Sequence, residues 1–133
     1  MVSSVLVIDN DIALTEILKA TLEPKEFSVH TAHEVEEGIN AAHRLNPDVI
    51  VLDLYLPEKD GSKVCRDIRE FSNTPIMFLS VFNNPEAIAQ ALDEGADDYL
   101  IKPVPSGVLI AHLKKLIRRG RTEQITINSQ NDL

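Results

Sequence analysis

The sequence predicts an α/β fold, a five-stranded parallel sheet in (βα)5 order. Strand-like and helix-like patterns alternate along the chain. The strand-like segments are mostly continuous apolar runs, the signature of strands buried on both faces. The stretches between them are long enough for helical crossovers, which dictate parallel pairing and right-handed connections.

Val5-Leu6-Val7-Ile8 is the first strand and ends in Asp9. Leu14, Ile17, Leu18 and Leu22 then recur at helical spacing, and Pro24 helps to end that helix. Phe27 to Thr31 is a weaker strand, with Phe27, Val29 and Thr31 on one face. Val35, Ile39, Ala42 and Leu45 mark the second helix, closed by Asn46-Pro47. Val49-Ile50-Val51-Leu52 is the third strand and ends in Asp53. A loop rich in turn formers follows, Leu56-Pro57-Glu58-Lys59-Asp60-Gly61. Val64, Cys65, Ile68 and Phe71 give the third helix. Thr74-Pro75 opens the fourth strand, Ile76-Met77-Phe78-Leu79, which ends in Ser80. Ala87, Ile88, Ala91 and Leu92 give the fourth helix, with Gly95 suited to its cap. Tyr99-Leu100-Ile101 is the last strand and ends in Lys102, and Leu109, Leu113, Leu116 and Ile117 give the fifth helix. The expected strand order is 2-1-3-4-5, the flavodoxin-like arrangement.

At 133 residues the chain is read as one domain over 1–120, followed by a polar linker or disordered tail over 121–133. A formal charge of −8 argues against nonspecific nucleic-acid binding by this segment. Lys114, Lys115, Arg118, Arg119 and Arg121 cluster near the end of the fifth helix, where cations complement the helix dipole. No apolar run is long enough to span a bilayer, and the start shows no signal-peptide layout. With a single cysteine, Cys65, a reducing cytoplasmic setting and a packing role are expected.

The chemistry is expected at the carboxyl ends of the strands, where open α/β sheets bind ligands. Four strands deliver Asp9, Asp53, Ser80 and Lys102 to one edge. A lone aspartate there is usually a cap or a solvated loop residue; four matching strand ends point to a site. Two adjacent carboxylates repel unless a cation lies between them, and a hard ion such as Mg²⁺ suits oxygen ligands and phosphate. Asp53 is then placed to act as a nucleophile on a phosphoryl donor. Lys102 neutralises charge on the transferring group, and Ser80 donates to a phosphoryl oxygen.

The motifs Ile8-Asp9-Asn10-Asp11, Pro47-Asp48-Val49-Ile50-Val51-Leu52-Asp53-Leu54, Leu56-Pro57, Asp60-Gly61, Ser80, Gly95-Ala96-Asp97-Asp98-Tyr99-Leu100 and Lys102-Pro103 resemble the receiver domain of two-component response regulators. The resemblance covers about residues 3 to 120, with the motifs in family order and at family spacing. It implies that Asp53 is the phosphoacceptor and that Asp9, Asn10, Asp53 and the Tyr55 backbone carbonyl hold Mg²⁺. It further implies that Ser80 and Tyr99 are the switch pair, Lys102 the site lysine, and Lys102-Pro103 a cis peptide. The implied partner is a histidine kinase or phosphotransfer protein in a phosphorelay. The implied output is transcriptional, through a DNA-binding effector domain of winged-helix type, although a stand-alone receiver fits too. Asp97-Asp98 and the basic fifth helix resemble the face through which such receivers dimerise. His112 stands there where arginine is usual, so a salt bridge would be weaker or pH-dependent.

Two departures from the pattern matter. Asn10 replaces the second acid of the metal pair, so weakened Mg²⁺ affinity is expected, while Asp11 suits the cap of the first helix. Val81 follows Ser80 where the family favours alanine or glycine, and its bulk is expected to narrow access to Asp53. The alternative reading is a pseudo-receiver, a phosphate-independent interaction module. A phosphohydrolase of the haloacid-dehalogenase type fits less well, because Tyr55 fills the second place of Asp-x-Asp. A nucleotide-binding flavodoxin relative fits least, since no glycine-rich loop follows the first strand. No enzymatic role beyond self-catalysed phosphotransfer and autodephosphorylation is expected.

Overall fold

Apolar strands buried on both faces need helices above and below, and the chain supplies five. The computed structural model describes residues 2–131, with side chains described as far as Thr122. The order is β1 (Ser3–Ile8), α1 (Ile12–Leu22), a short 3-10 turn (Glu23–Lys25), β2 (Phe27–Ala32), α2 (Val35–Leu45), β3 (Val49–Leu52), α3 (Gly61–Arg69), β4 (Ile76–Ser80), α4 (Pro85–Asp93), β5 (Asp98–Ile101) and α5 (Ser106–Asn131). All strands pair in parallel, in the order β2-β1-β3-β4-β5 expected from the sequence. Alternate strand residues feed two cores. Leu6, Ile8, Ile50, Leu52, Ile76 and Phe78 face α2, α3 and α4. Val5, Val7, Val49, Val51, Met77 and Leu79 face α1 and α5.

Register is what brings the site together. Ile8 pairs with Leu52, so the residues that follow, Asp9 and Asp53, leave the sheet at the same level. Ser80 pairs with Ile101, which brings Lys102 to the same edge. The Asp53 amide donates to Ile8 O at 3.0 Å, and the Lys102 amide to Ser80 O at 2.9 Å. The Lys102–Pro103 peptide is cis, as the resemblance implied. Gly95 sits at φ 108° in the turn after α4, a conformation that side chains resist.

Several expectations change in detail. Ile17 and Leu92 lie on helices at apolar spacing but are 61% and 45% exposed, because each helix is covered on one side only. Phe71 falls beyond α3 and stacks edge-on against His43, with ring centroids 5.1 Å apart. The fifth helix does not fray at residue 121. Its backbone stays helical to Asn131, since nothing between Thr122 and Asn131 is a proline or glycine to stop it. Residues 132 and 133 of the expected tail lie outside the described residues. Cys65 is fully buried, and burial pushes its thiol up to about 11.

Candidate functional site

Each polar group at the carboxyl edge is held by its strand and by one or two hydrogen bonds. Asp9 is 3% exposed; its Oδ1 accepts from the Asp11 amide at 2.9 Å, which turns the chain into α1. Asp11 then caps that helix by accepting from the Leu14 amide at 3.0 Å, as expected. Asp53 Oδ1 accepts from the Tyr55 amide at 3.3 Å. The Lys102 ammonium crosses from the end of β5 and donates to Asp9 Oδ2 at 2.9 Å and Asp53 Oδ2 at 3.3 Å. Asp9, Asp53 and Lys102 are thus brought into one cluster of two carboxylates and one ammonium.

The cluster is short of positive charge. Burial raises the Asp53 pKa above the ordinary carboxylate value, and the nearby Asp9 charge raises it further; Lys102 and the Tyr55 amide only partly offset this. Burial on its own would lower Lys102, but the hydrogen bond to Asp9 and the charges of Asp53 and Asp9 outweigh it and hold the ammonium above its usual value. Lys102 therefore stays charged, and one ammonium faces two carboxylates.

This imbalance fits a hard divalent cation. The available donors are the Asp9 and Asp53 carboxylates, the Asn10 amide oxygen and the Tyr55 backbone carbonyl, all oxygens. Among the described residues there is no cluster of three or more His, Cys, Asp and Glu side chains able to hold a metal. Asn10, which stands where the resemblance expects a second acid, is exposed.

Ser80 and Tyr99, expected to act as a pair, are joined through a residue that sequence reasoning passed over. Ser80 is fully buried, and its Oγ accepts from the Phe82 amide at 3.3 Å. The Tyr99 hydroxyl donates to the Phe82 carbonyl at 2.7 Å, and the Tyr99 ring stacks on Phe78 with centroids 5.9 Å apart. Burial, more than any other influence, raises the Tyr99 phenol. One peptide unit on each side of Phe82 therefore connects hydroxyl and phenol. No signal in residue type marks this role, because backbone groups perform it. The Phe82 ring, 39% exposed, faces the 67% exposed Tyr55 ring at 6.1 Å. Val81 is 65% exposed, so it stands at the surface beside the site.

The β3–α3 loop is locked at its base by Gly61. A Cβ there would collide with the Asp53 carbonyl oxygen and lie 2.7 Å from Leu54 Cα. The Gly61 amide donates to Leu54 O at 2.7 Å, and it is the approach of the Asp53–Leu54 backbone to the missing Cβ that calls for glycine. Asp60 caps α3 by accepting from the Ser62 amide at 2.8 Å. The sequence signal for this was Asp60-Gly61.

The residues read as a dimer face have partners within the chain. Asp97 Oδ2 accepts from Arg69 at 2.9 Å and from the Ile76 amide at 2.9 Å, tying α3 to the start of β4. Asp98 Oδ2 lies 2.6 Å from His112 Nδ1. Asp97 is thus a structural anchor, and the His112 contact with Asp98 forms inside the chain.

The sequence matches the response regulator receiver domain family over residues 5–114. Response regulator protein GraR of Staphylococcus haemolyticus is 38% identical, over 97% of this chain and 59% of that protein. The transcriptional regulatory protein AfsQ1 of Streptomyces coelicolor is 39% identical, over 90% of this chain and 53% of that protein. The chain thus spans little more than half the length of these relatives. A crystal structure of a two-component response regulator from Clostridium difficile superimposes with a TM-score of 0.85 at 36% identity, covering 88% of this chain and 97% of that one.

Proposed function

The chain belongs to the response regulator receiver domain family, and from that premise we propose that it is a phosphorylatable switch whose acceptor is Asp53. The observation that carries this reading is the Lys102 ammonium shared between Asp9 and Asp53 at the ends of adjacent strands. Receivers of this family serve two-component signalling and bind Mg²⁺; the residue assignments are our reading.

In this reading a kinase phosphohistidine is the donor. An Asp53 carboxylate oxygen attacks phosphorus, the phosphorus–nitrogen bond breaks, and its electron pair leaves on the imidazole. Bound Mg²⁺ supplies neutralisation of the acceptor carboxylate and the phosphoryl oxygens, held by Asp9, Asn10, Asp53 and the Tyr55 carbonyl. Lys102 keeps its proton throughout and stabilises the charge that moves onto the phosphoryl group. Ser80 gives up its contact with the Phe82 amide to donate to a phosphoryl oxygen. Because the Phe82 carbonyl also holds Tyr99, that movement reaches β5 and the α4–β5–α5 face. Asn10 leaves the cradle one negative charge short, so Mg²⁺ binding is weaker than with two acids.

The output proposed is transcriptional, through an effector domain beyond this segment, with homodimerisation on the α4–β5–α5 face as its readout. The chain is proposed to act in the cytoplasm, and no helix among the described residues is long and apolar enough to cross a membrane. Asn10 also favours a second reading, a pseudo-receiver that engages its partner without phosphate. Intact-protein mass measurement after incubation with a small phosphodonor separates the two. A Mg²⁺-dependent phosphoryl adduct, absent from Asp53→Asn, supports the switch; no adduct with any donor supports the pseudo-receiver.

A further inference from the structure

The metal cradle is built from two halves that the sheet alone does not register. Pairing of β1 with β3 fixes Asp9 against Asp53. Tyr55 lies two residues beyond the strand, so its carbonyl goes wherever the β3–α3 loop goes. Most polar contacts of residues 54–60 are local. Gly61 holds Leu54, Asp60 caps α3, and Lys59 pairs with Asp67 at 2.7 Å. Among the described residues one polar contact leaves the neighbourhood. Glu58 Oε1 accepts from the Val35 amide at 3.0 Å.

That amide belongs to the first residue of α2, whose own cap residue, Glu34, makes no side-chain hydrogen bond. Glu58 thus provides from a distant loop the cap that the helix lacks. The helix it grips is seated on β1: a Cβ added to Gly38 would lie 2.8 Å from the Ile8 side chain, next to Asp9. The path runs from the Tyr55 loop through Glu58 to α2, and from α2 through Gly38 to the strand that carries Asp9.

We propose that Glu58 is a positioning residue for the acceptor site, setting the loop that carries Tyr55 against the strand that carries Asp9. The inference rests on the acceptor reading above. Its mechanism is held by three variants. Glu58→Gln keeps an acceptor oxygen, and Glu58→Ala removes it. Val35→Pro removes the donor at a position where proline suits a helix. Glu34, at φ −129° and ψ 155°, already has the extended backbone a residue before proline requires.

The experiment measures Mg²⁺ affinity by calorimetry, amide exchange over residues 54–61, and thermal stability. Glu58→Ala and Val35→Pro should each weaken Mg²⁺ binding about fivefold, the worth of one hydrogen bond. Their combination should be no weaker than either alone, since both remove the same bond. Exchange in the loop should quicken in both, and Glu58→Gln should stay within about twofold of the parent. A lower melting temperature with unchanged Mg²⁺ affinity and unchanged loop exchange would make Glu58 a helix cap only and overturn the proposal. So would Glu58→Gln behaving like Glu58→Ala, which would assign the effect to charge. Absence of Mg²⁺ binding in the parent would sink the acceptor reading instead. Loop exchange then decides Glu58 by itself, and unchanged exchange in Glu58→Ala rejects it.

Discussion

The two edges of this sheet handle charge in opposite ways. At the amino edge Arg69, Asp97, Asp48 and Arg121 are matched and put to structural use. Arg69 donates to Thr74 O at 2.6 Å, Gly95 O at 3.0 Å and Ser72 O at 3.3 Å, and pairs with Asp97. Asp48 accepts from the Ser4 amide at 2.8 Å and lies 3.6 Å from Arg121. At the carboxyl edge two carboxylates share one ammonium and Asp53 is held above its ordinary pKa. One edge is satisfied and the other is left wanting a cation. A fold can carry an electrostatically unfavourable site because the bonds that hold it together are made elsewhere.

The contrast can be broken most severely at Asp53. Asp53→Asn should abolish the phosphoryl adduct altogether while the protein remains folded, checked by intact mass and circular dichroism. A persisting adduct would move the acceptor elsewhere. The next effect belongs to the other edge. Arg69→Ala removes four contacts from a half-buried guanidinium and should cost about 2–3 kcal/mol, read as a lower denaturation midpoint. The folded variant should still accept phosphate, and Arg69→Lys should not restore stability, because lysine lacks the planar fork. A smaller effect is expected from Asn10→Asp. The position is exposed, so screening leaves only part of a charge pair worth up to ~4 kcal/mol, and Mg²⁺ should bind about tenfold more tightly or less. Unchanged affinity in calorimetry would remove the charge-deficit argument.

Much of this was legible in the sequence, for a physical reason. Strands buried on both faces must be continuous apolar runs, so their ends, and the polar groups there, can be read directly. That gave Asp9, Asp53, Ser80 and Lys102, which the structure gathers at one edge. What escaped reading depends on contacts between distant residues or on backbone groups. Phe82 joins Ser80 to Tyr99 through its peptide, which any residue type has. Glu58 reaches across 23 positions to Val35, and an exposed loop glutamate carries no sign of that. The anchoring role of Asp97, which the resemblance placed on a dimer face, escaped reading because its partners, Arg69 and the Ile76 amide, lie 28 and 21 positions away. The helical course of α5 beyond residue 121 escaped reading because polar composition alone does not stop a helix.

The most direct test of the charge-strained edge is thermal stability of the parent and Asp53→Asn against pH, with and without Mg²⁺. An aspartate whose folded pKa is raised binds more protons in the folded state than in the unfolded one. Its contribution is present below the unfolded value of 3.8 and lost as pH rises through the folded value. Without Mg²⁺, Asp53→Asn should therefore melt higher than the parent at neutral pH. The gap should close as pH falls toward the unfolded value, and Mg²⁺ should narrow it by stabilising the parent more. If Asp53→Asn melts lower than the parent at neutral pH, or if Mg²⁺ shifts both equally, the edge is not short of positive charge and this account of the site is wrong.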